Sequence, residues 1–298
     1  MDTHDGSTVA VKIVRRVKRY CESAKIEADI LYDISVHPQG LKLCSQILSR
    51  FEDGGHYCIV LEELGQSLYS FIKGNSYHGF PLEYVRQISQ QLLECMCFLK
   101  DIKLIHTDLK PENILVCPGE NITIDVNGKD LTVPKIPKIK VIDFGGATYD
   151  DEHKSSIINT RQYRGPEVIL GLGWTFPSDL WSCGCIIAEL YSGELFFGTH
   201  SNNEHLGLME KAIGTFPKHM LESKEASKYF TSRGAFRVDE LSKQNLKKIS
   251  SMQTVRELVQ ADIASGVAEL IEGLLTLDPN DRLTAEDALQ LPFFSGYS

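Results

Sequence analysis

Between His106 and Asn113 the sequence sets an aspartate, a lysine, a proline and an asparagine within eight residues. The string His106-Thr107-Asp108-Leu109-Lys110-Pro111-Glu112-Asn113 cannot be regular helix throughout, because Pro111 lacks the amide that a helix interior uses. An irregular loop can aim Asp108 and Asn113 into one site. A carboxylate that orients an attacking hydroxyl, beside an oxygen ligand for a hard cation, is what phosphoryl transfer requires. Lys110 adds a cation able to neutralise charge on the moving phosphate. A lone His-x-Asp is a turn about nine times in ten, since short motifs match often by chance. The eight-residue string is far more specific.

Thirty residues after Asn113, an apolar run delivers a second acid, Val141-Ile142-Asp143-Phe144-Gly145. Gly145 is expected to turn the chain sharply, leaving the Asp143 carboxylate to reach a Mg²⁺ ion that bridges ATP phosphates. Lys12 lies on a predicted strand, in Val9-Ala10-Val11-Lys12, and by itself would read as a solvent-facing lysine. Glu27, fifteen residues on in a predicted helix, could pair with it and fix its ammonium toward phosphates; Glu22 on the same helix is the alternative. Gly165-Pro166-Glu167 offers a carboxylate for Arg282, a purely structural pairing. Asp179 reads equally as a charge at a helix N-terminus or as a brace for the backbone of the 106–113 loop.

The pattern along the chain changes character once. Residues 8–14 predict a strand, 18–35 a helix, and 46–52 with 56–61 two antiparallel strands joined through Asp53-Gly54-Gly55. Glu62-Glu63-Leu64-Gly65 reads as a connector. Beyond it, apolar residues at Val85, Ile88, Leu92, Cys95 and Leu99 have helical spacing. The stretch 178–191 is apolar almost all round, which places that helix at a domain centre. Helices are also predicted at 267–277 and 284–289. Alternation through Ile122, Ile124 and Val126 into Asn127-Gly128 predicts a β-hairpin within 117–138, and 214–261 reads as a polar surface insertion. The expected fold is α+β and bilobal: a small strand-rich lobe, 1–62, and a larger helical lobe, 63–298, with a ligand cleft between them.

Composition narrows the class only coarsely. With 298 residues, 42% hydrophobic and 24% charged, the chain can bury a sizeable core. No run of eighteen or more apolar residues predicts a membrane span, and the first ten residues lack the pattern of a secretory leader. The eight cysteines form no metal-like pair and read as reduced thiols. A net charge of −9 argues against direct nucleic-acid binding and would suit a basic protein substrate, although solubility alone explains an acidic balance.

Strand lysine, loop aspartate, Asp-Phe-Gly and Pro-Glu occur in the order of the protein kinase signature set, and the resemblance runs from Val9 to Phe294. Finer features resemble the LAMMER (CDC-like, CLK) kinases. Glu204-His205-Leu206-Gly207-Leu208-Met209-Glu210-Lys211 is similar to that family's Glu-His-Leu-Ala-Met-Met-Glu-Arg, with glycine, leucine and lysine departing mildly. Thr107, where most kinases carry arginine, also matches the family, as do Asp143 to Thr148, Thr160 to Arg164 and the added hairpin. Gly165 stands where alanine is usual.

The resemblance implies Asp108 and Lys110 as catalytic residues, Lys12 on the phosphates with Glu27 behind it, and Asn113 with Asp143 on Mg²⁺. It implies adenine at the connector, against Ala10, Leu61, Glu62, Leu64 and Leu115. It further implies ATP and Mg²⁺ as cofactors, and serine/threonine transfer with tyrosine as a second acceptor. Arg/Ser-rich splicing factors are the implied protein substrates, and a monomer in the nucleus or cytoplasm the implied state. A Gly-rich phosphate loop is expected upstream of Lys12, yet only Gly6 precedes it; residues 1–8 read as the turn between a kinase's second and third strands, so N-terminal truncation is expected. The missing loop leaves a non-catalytic, pseudokinase-like binding module as the alternative. Without arginine at Thr107, activity is expected not to require phosphate on Ser155, Ser156 or Thr160.

Overall fold

The computed structural model describes residues 8–126, 128–152, 154–238 and 241–295. It opens with β1 (Val9–Ile13), α1 (Lys18–Ser35), α2 (Pro38–Leu43), β2 (Ile47–Asp53) and β3 (His56–Glu62). The strands form an antiparallel sheet in the order β1-β3-β2, with Ala10 opposite Leu61 and Lys12 opposite Ile59. Gly54 and Gly55 make the β2–β3 turn with φ of 54° and 80°, values that favour glycine. On α1 the buried residues Ala24, Glu27, Ala28, Leu31 and Ile34 fall three and four apart, so one face meets the core and carries Glu27 with it. The expectation for residues 1–8 falls on Met1 to Ser7, which lie outside the described residues, as does Asn127 of the hairpin turn.

The connector leads into α3 (Leu68–Gly74), whose first turn is capped by Ser67 accepting from the Ser70 amide at 3.1 Å. Next come α4 (Leu82–Asp101), β4 (Leu104–Ile105), a 3-10 turn over Pro111–Asn113, and β5 (Ile114–Val116). The hairpin is β6 (Asn121–Val126) with β7 (Lys129–Pro134), in register Ile122 to Val133 and Val126 to Lys129. β8 (Ile139–Val141) pairs with β5, and β9 (Thr148–Tyr149) with β4. These two short ladders bracket the functional loops on either side.

The rest is helical: α5 (Pro166–Ile169), α6 (Pro177–Ser192), α7 (Asn202–Ala212), α8 (Lys243–Ser250), α9 (Val255–Leu258), α10 (Val267–Leu274), α11 (Ala285–Ala288) and α12 (Pro292–Ser295). Every residue of α6 from Ser178 to Leu190 is buried, and the helix packs on α4 and α10. It stops at Gly193, φ 84°, where a Cβ would stand 2.2 Å from the Tyr77 carbonyl oxygen. The stretch 214–261 differs from a purely surface insertion. It carries α8 and α9 and buries Phe216, Met220, Phe230 and Val259. Those anchors are spaced too irregularly for periodicity to reveal them. Among the described residues no helix is long and apolar enough to cross a membrane.

Candidate active site

Two chain segments meet at Lys12. Its Nζ lies 2.7 and 2.9 Å from the two Glu27 carboxylate oxygens and 3.0 Å from Asp143 Oδ1. Glu27, not Glu22, is therefore the partner; Glu22 is exposed and only 3.9 Å from Lys18. Burial pulls the Lys12 ammonium down, but the Glu27 and Asp143 carboxylates outweigh it and hold its pKa above the ordinary value. For Asp143 burial pushes up, Lys12 pulls harder, and the net direction is down. Glu27 is the most enclosed of the three, and burial raises its pKa despite Lys12. The raised value would weaken the pair from the carboxylate side, yet the two short contacts favour the charged pair near neutral pH.

The 106–113 loop is braced from below. Asp179, at the start of α6, accepts the His106 amide at 2.7 Å and the Thr107 amide at 3.0 Å. Both readings of Asp179 hold, since it is also an acid in the first turn of that helix. His106 Nδ1 accepts from the Asp108 amide at 3.2 Å, which leaves Nε2 to donate to the Ile142 carbonyl at 3.0 Å. Thr107 adopts φ 69° and donates its hydroxyl to the Gly146 carbonyl at 2.7 Å. Asn113 donates from Nδ2 to the Asp108 carbonyl at 3.0 Å, and its own carbonyl accepts the Ile142 amide at 2.9 Å. The loop and the strand leading to Asp143 are thus locked together.

The sharp turn sits two positions earlier than expected from Gly145. Asp143 itself takes the left-handed conformation, φ 64°. At Gly145 space is tight: a Cβ there would stand 3.3 Å from Glu27 Oε2 and 3.4 Å from Asp143 Oδ1.

Asp108 is held at both oxygens. Oδ2 lies 2.6 Å from Lys110 Nζ, and Oδ1 accepts the Thr160 amide at 3.0 Å and the Thr160 hydroxyl at 2.7 Å. Lys110 also reaches the Thr160 hydroxyl at 3.2 Å. Thr160 as a partner of Asp108 is not readable from sequence, because 52 residues separate them and only the folded chain joins them.

Of the residues expected around adenine, Leu61, Glu62 and Leu64 lie at or beside the connector, and Ala10 and Leu115 on strands facing it. Ala10 and Leu61 are register partners across β1 and β3, Leu64 is half-buried, and Leu115 stands in the middle of β5. The connector is tied to β5 by the Gly65 amide on the Val116 carbonyl at 2.7 Å and the Val116 amide on the Gln66 carbonyl at 2.9 Å. For a cation, Asp143 offers a carboxylate, and the Asn113 amide group, anchored through its nitrogen, leaves its side-chain oxygen as donor. Two oxygen ligands of this kind fit a hard divalent ion that takes its remaining ligands from nucleotide phosphates and water. No group of three or more His, Cys, Asp or Glu side chains suited to hold a metal exists among the described residues.

The family model for the protein kinase domain matches residues 1–294. A serine/threonine-protein kinase AFC2 from Arabidopsis thaliana is 45% identical over 310 residues, covering 99% of this chain and 72% of that protein. A human dual specificity protein kinase CLK4 is 43% identical over 97% of this chain, which spans 61% of that protein's length. The crystal structure of a kinase domain superimposes with a TM-score of 0.92 at 37% identity, covering 98% of this chain and 89% of that one.

Proposed function

This chain belongs to the protein kinase family, within its LAMMER branch, and from that membership we propose how its residues divide the work of moving a phosphoryl group. It is an ATP-dependent serine/threonine protein kinase that uses a divalent metal and acts on proteins. Asp108 accepts the hydrogen bond of the incoming hydroxyl and orients it in line with the γ-phosphate. Lys110, 2.6 Å away, faces the same space and offsets charge on the transferring group. Lys12, held by Glu27, points its ammonium toward the α- and β-phosphates. Asn113 and Asp143 would hold the metal, for which we propose Mg²⁺; bound there, it would neutralise phosphate charge. Adenine lies at the connector between Ala10 and Leu115, bordered by Leu61 and meeting backbone groups of Glu62 and Leu64.

One observation carries this reading: Lys12 is within hydrogen-bond distance of both Glu27 and Asp143, which joins the strand lysine to the metal-binding acid. A non-catalytic binding module would have no chemical use for Lys12, Asp108, Asn113 and Asp143 together.

The finer substrate proposal is an Arg/Ser-rich protein, supported by family resemblance and by a net charge of −9, which favours encounter with a basic chain. Tyrosine is proposed as a second acceptor from the dual specificity of the human relative. Action as a monomer, in the nucleus or cytoplasm, is proposed on resemblance alone. The test is Mg²⁺-dependent transfer from ATP to an Arg/Ser-repeat peptide, with an alanine-for-arginine peptide beside it. The Arg/Ser peptide should be preferred, and Asp108→Asn should lower kcat by about 10²–10⁴-fold. Equal rates for the two peptides would remove the substrate proposal, and an Asp108→Asn variant of undiminished kcat would remove the mechanism.

A further inference from the structure

Lys140 is a buried charge that the proposed reaction does not use. It occupies the middle of β8, a strand buried throughout, and is 7% exposed. Its Nζ lies 2.5 Å from Glu62 Oε1. That same oxygen accepts the Gln46 amide at 2.8 Å, and the Glu62 amide donates to the Gln46 carbonyl at 3.0 Å. With its amide and carboxylate both engaged, the Glu62 group that a ligand at the connector would meet is its backbone carbonyl.

The other end of the pair is equally well fixed. Lys140 is the register partner of Leu115 on β5. The Ile139 amide donates to Gln91 Oε1 at 3.1 Å, and the Val141 carbonyl accepts the Ser45 amide at 2.9 Å. Asp143 follows two residues after this strand. One ion pair therefore joins the start of the connector to the strand that lies against Leu115 and leads to Asp143. A buried pair of this kind contributes little stability over a well-packed apolar pair, so its value lies in fixing position.

We infer that Lys140 is a positioning residue for the nucleotide, acting through Glu62 to fix the connector peptide that meets adenine. The inference rests on the proposed placement of ATP at the connector. Lys140 touches neither the phosphates nor the acceptor hydroxyl, so its removal should act on nucleotide affinity alone.

The experiment measures kcat, the KM for ATP and the KM for peptide, with direct binding of a fluorescent ATP analogue. It is run on the wild-type chain, Lys140→Met, Glu62→Gln, the double variant and Lys140→Arg. Lys140→Met should raise the ATP KM and the analogue Kd about tenfold, the value of one well-placed hydrogen bond. Its kcat and peptide KM should stay within about twofold of wild type, as expected when only nucleotide binding is lost. Glu62→Gln keeps the shape and the Gln46 contact, and supplies the answer should Lys140→Met fail to fold. The double variant should be no worse than Lys140→Met, because the two residues act as one unit, and Lys140→Arg should recover most of the affinity. Unchanged ATP affinity in folded variants, additive losses in the double variant, or parallel losses in kcat and peptide KM would each overturn the inference. A wild-type chain that binds no ATP would instead overturn the functional reading on which it stands.

Discussion

His205 is buried on α7 with neither ring nitrogen hydrogen-bonded, and its ring centre lies 5.3 Å from that of Phe197. Burial pushes its pKa down from 6.5 to about 3; Arg164 and Arg161 push the same way and Glu204 opposes them. The folded protein therefore refuses a proton that the unfolded chain accepts below pH 6.5. The stability this histidine permits is intact above 6.5 and declines as pH falls from there toward 3, at a cost of about 2 kcal/mol by pH 5. Urea unfolding at pH 8 and pH 5 should show a smaller drop for His205→Leu than for wild type, by about that amount. Identical drops in the two proteins would refute the assignment. The sequence marks His205 only as part of the Glu204 to Lys211 segment. A histidine on a helix reads equally well as exposed, so its burial is a tertiary fact. Glu27 is the opposite case: it shares a buried helical face with Ala24, Ala28 and Leu31, and its place fifteen residues after Lys12 made it a candidate in the sequence, with Glu22 as the alternative that the fold removes.

The stretch that follows Asp143 ends, at Pro166-Glu167, on an ion pair between elements. Glu167, in α5, meets Arg282 through Nη1 at 2.8 Å and Nη2 at 2.9 Å, and Arg282 also donates to the Pro177 carbonyl at 2.7 Å. Burial pushes the Glu167 pKa up, but the Arg282 guanidinium and the Ser178 hydroxyl bring it below the ordinary value. The pair thus ties α5, the start of α6 and the turn before α11. Arg282→Met leaves a buried carboxylate uncompensated and should cost about 3–5 kcal/mol. Glu167→Gln/Arg282→Met should cost less than Arg282→Met alone; a double variant as unstable as the sum of its singles would argue against coupling. This pairing was legible because Pro-Glu and the arginine turn stand in a known order. Long elements were legible for a different reason: α4 runs long enough for helical spacing to show, and α6 long enough for an all-round apolar run to mark it as central. α2, α3 and α9 have 6, 7 and 4 residues, too few turns for any stripe to emerge. Thr160 and Lys140 fall outside both signals, since each gains its meaning from a partner far along the chain.

At the scale of the whole molecule, the segment from Ser155 to Arg164 is tied to the rest of the fold by hydrogen bonds at several points along its length. The Asn159 amide donates to the Thr107 carbonyl at 2.8 Å, and Trp174 Nε1 donates to the Ser155 carbonyl at 2.7 Å. Arg164 directs its guanidinium to the Ile158 and Asn159 carbonyls, each at 2.8 Å, and Thr160 is anchored on Asp108. Arg164 is thus engaged with backbone oxygens of the segment itself, and Thr107 takes its hydroxyl to Gly146 where an arginine could have reached outward. The ordering that phosphorylation supplies elsewhere through new charge-assisted bonds is supplied here by the backbone. Phosphatase-treated protein should therefore keep its activity toward an Arg/Ser peptide within about twofold, since no charge-assisted bond is lost. Ser155→Ala/Ser156→Ala should behave alike. Thr160→Glu, in contrast, sets a carboxylate against Asp108 and should abolish transfer by like-charge repulsion. Loss of activity on dephosphorylation, or an active Thr160→Glu, would show that the segment is organised by a charge these contacts do not include.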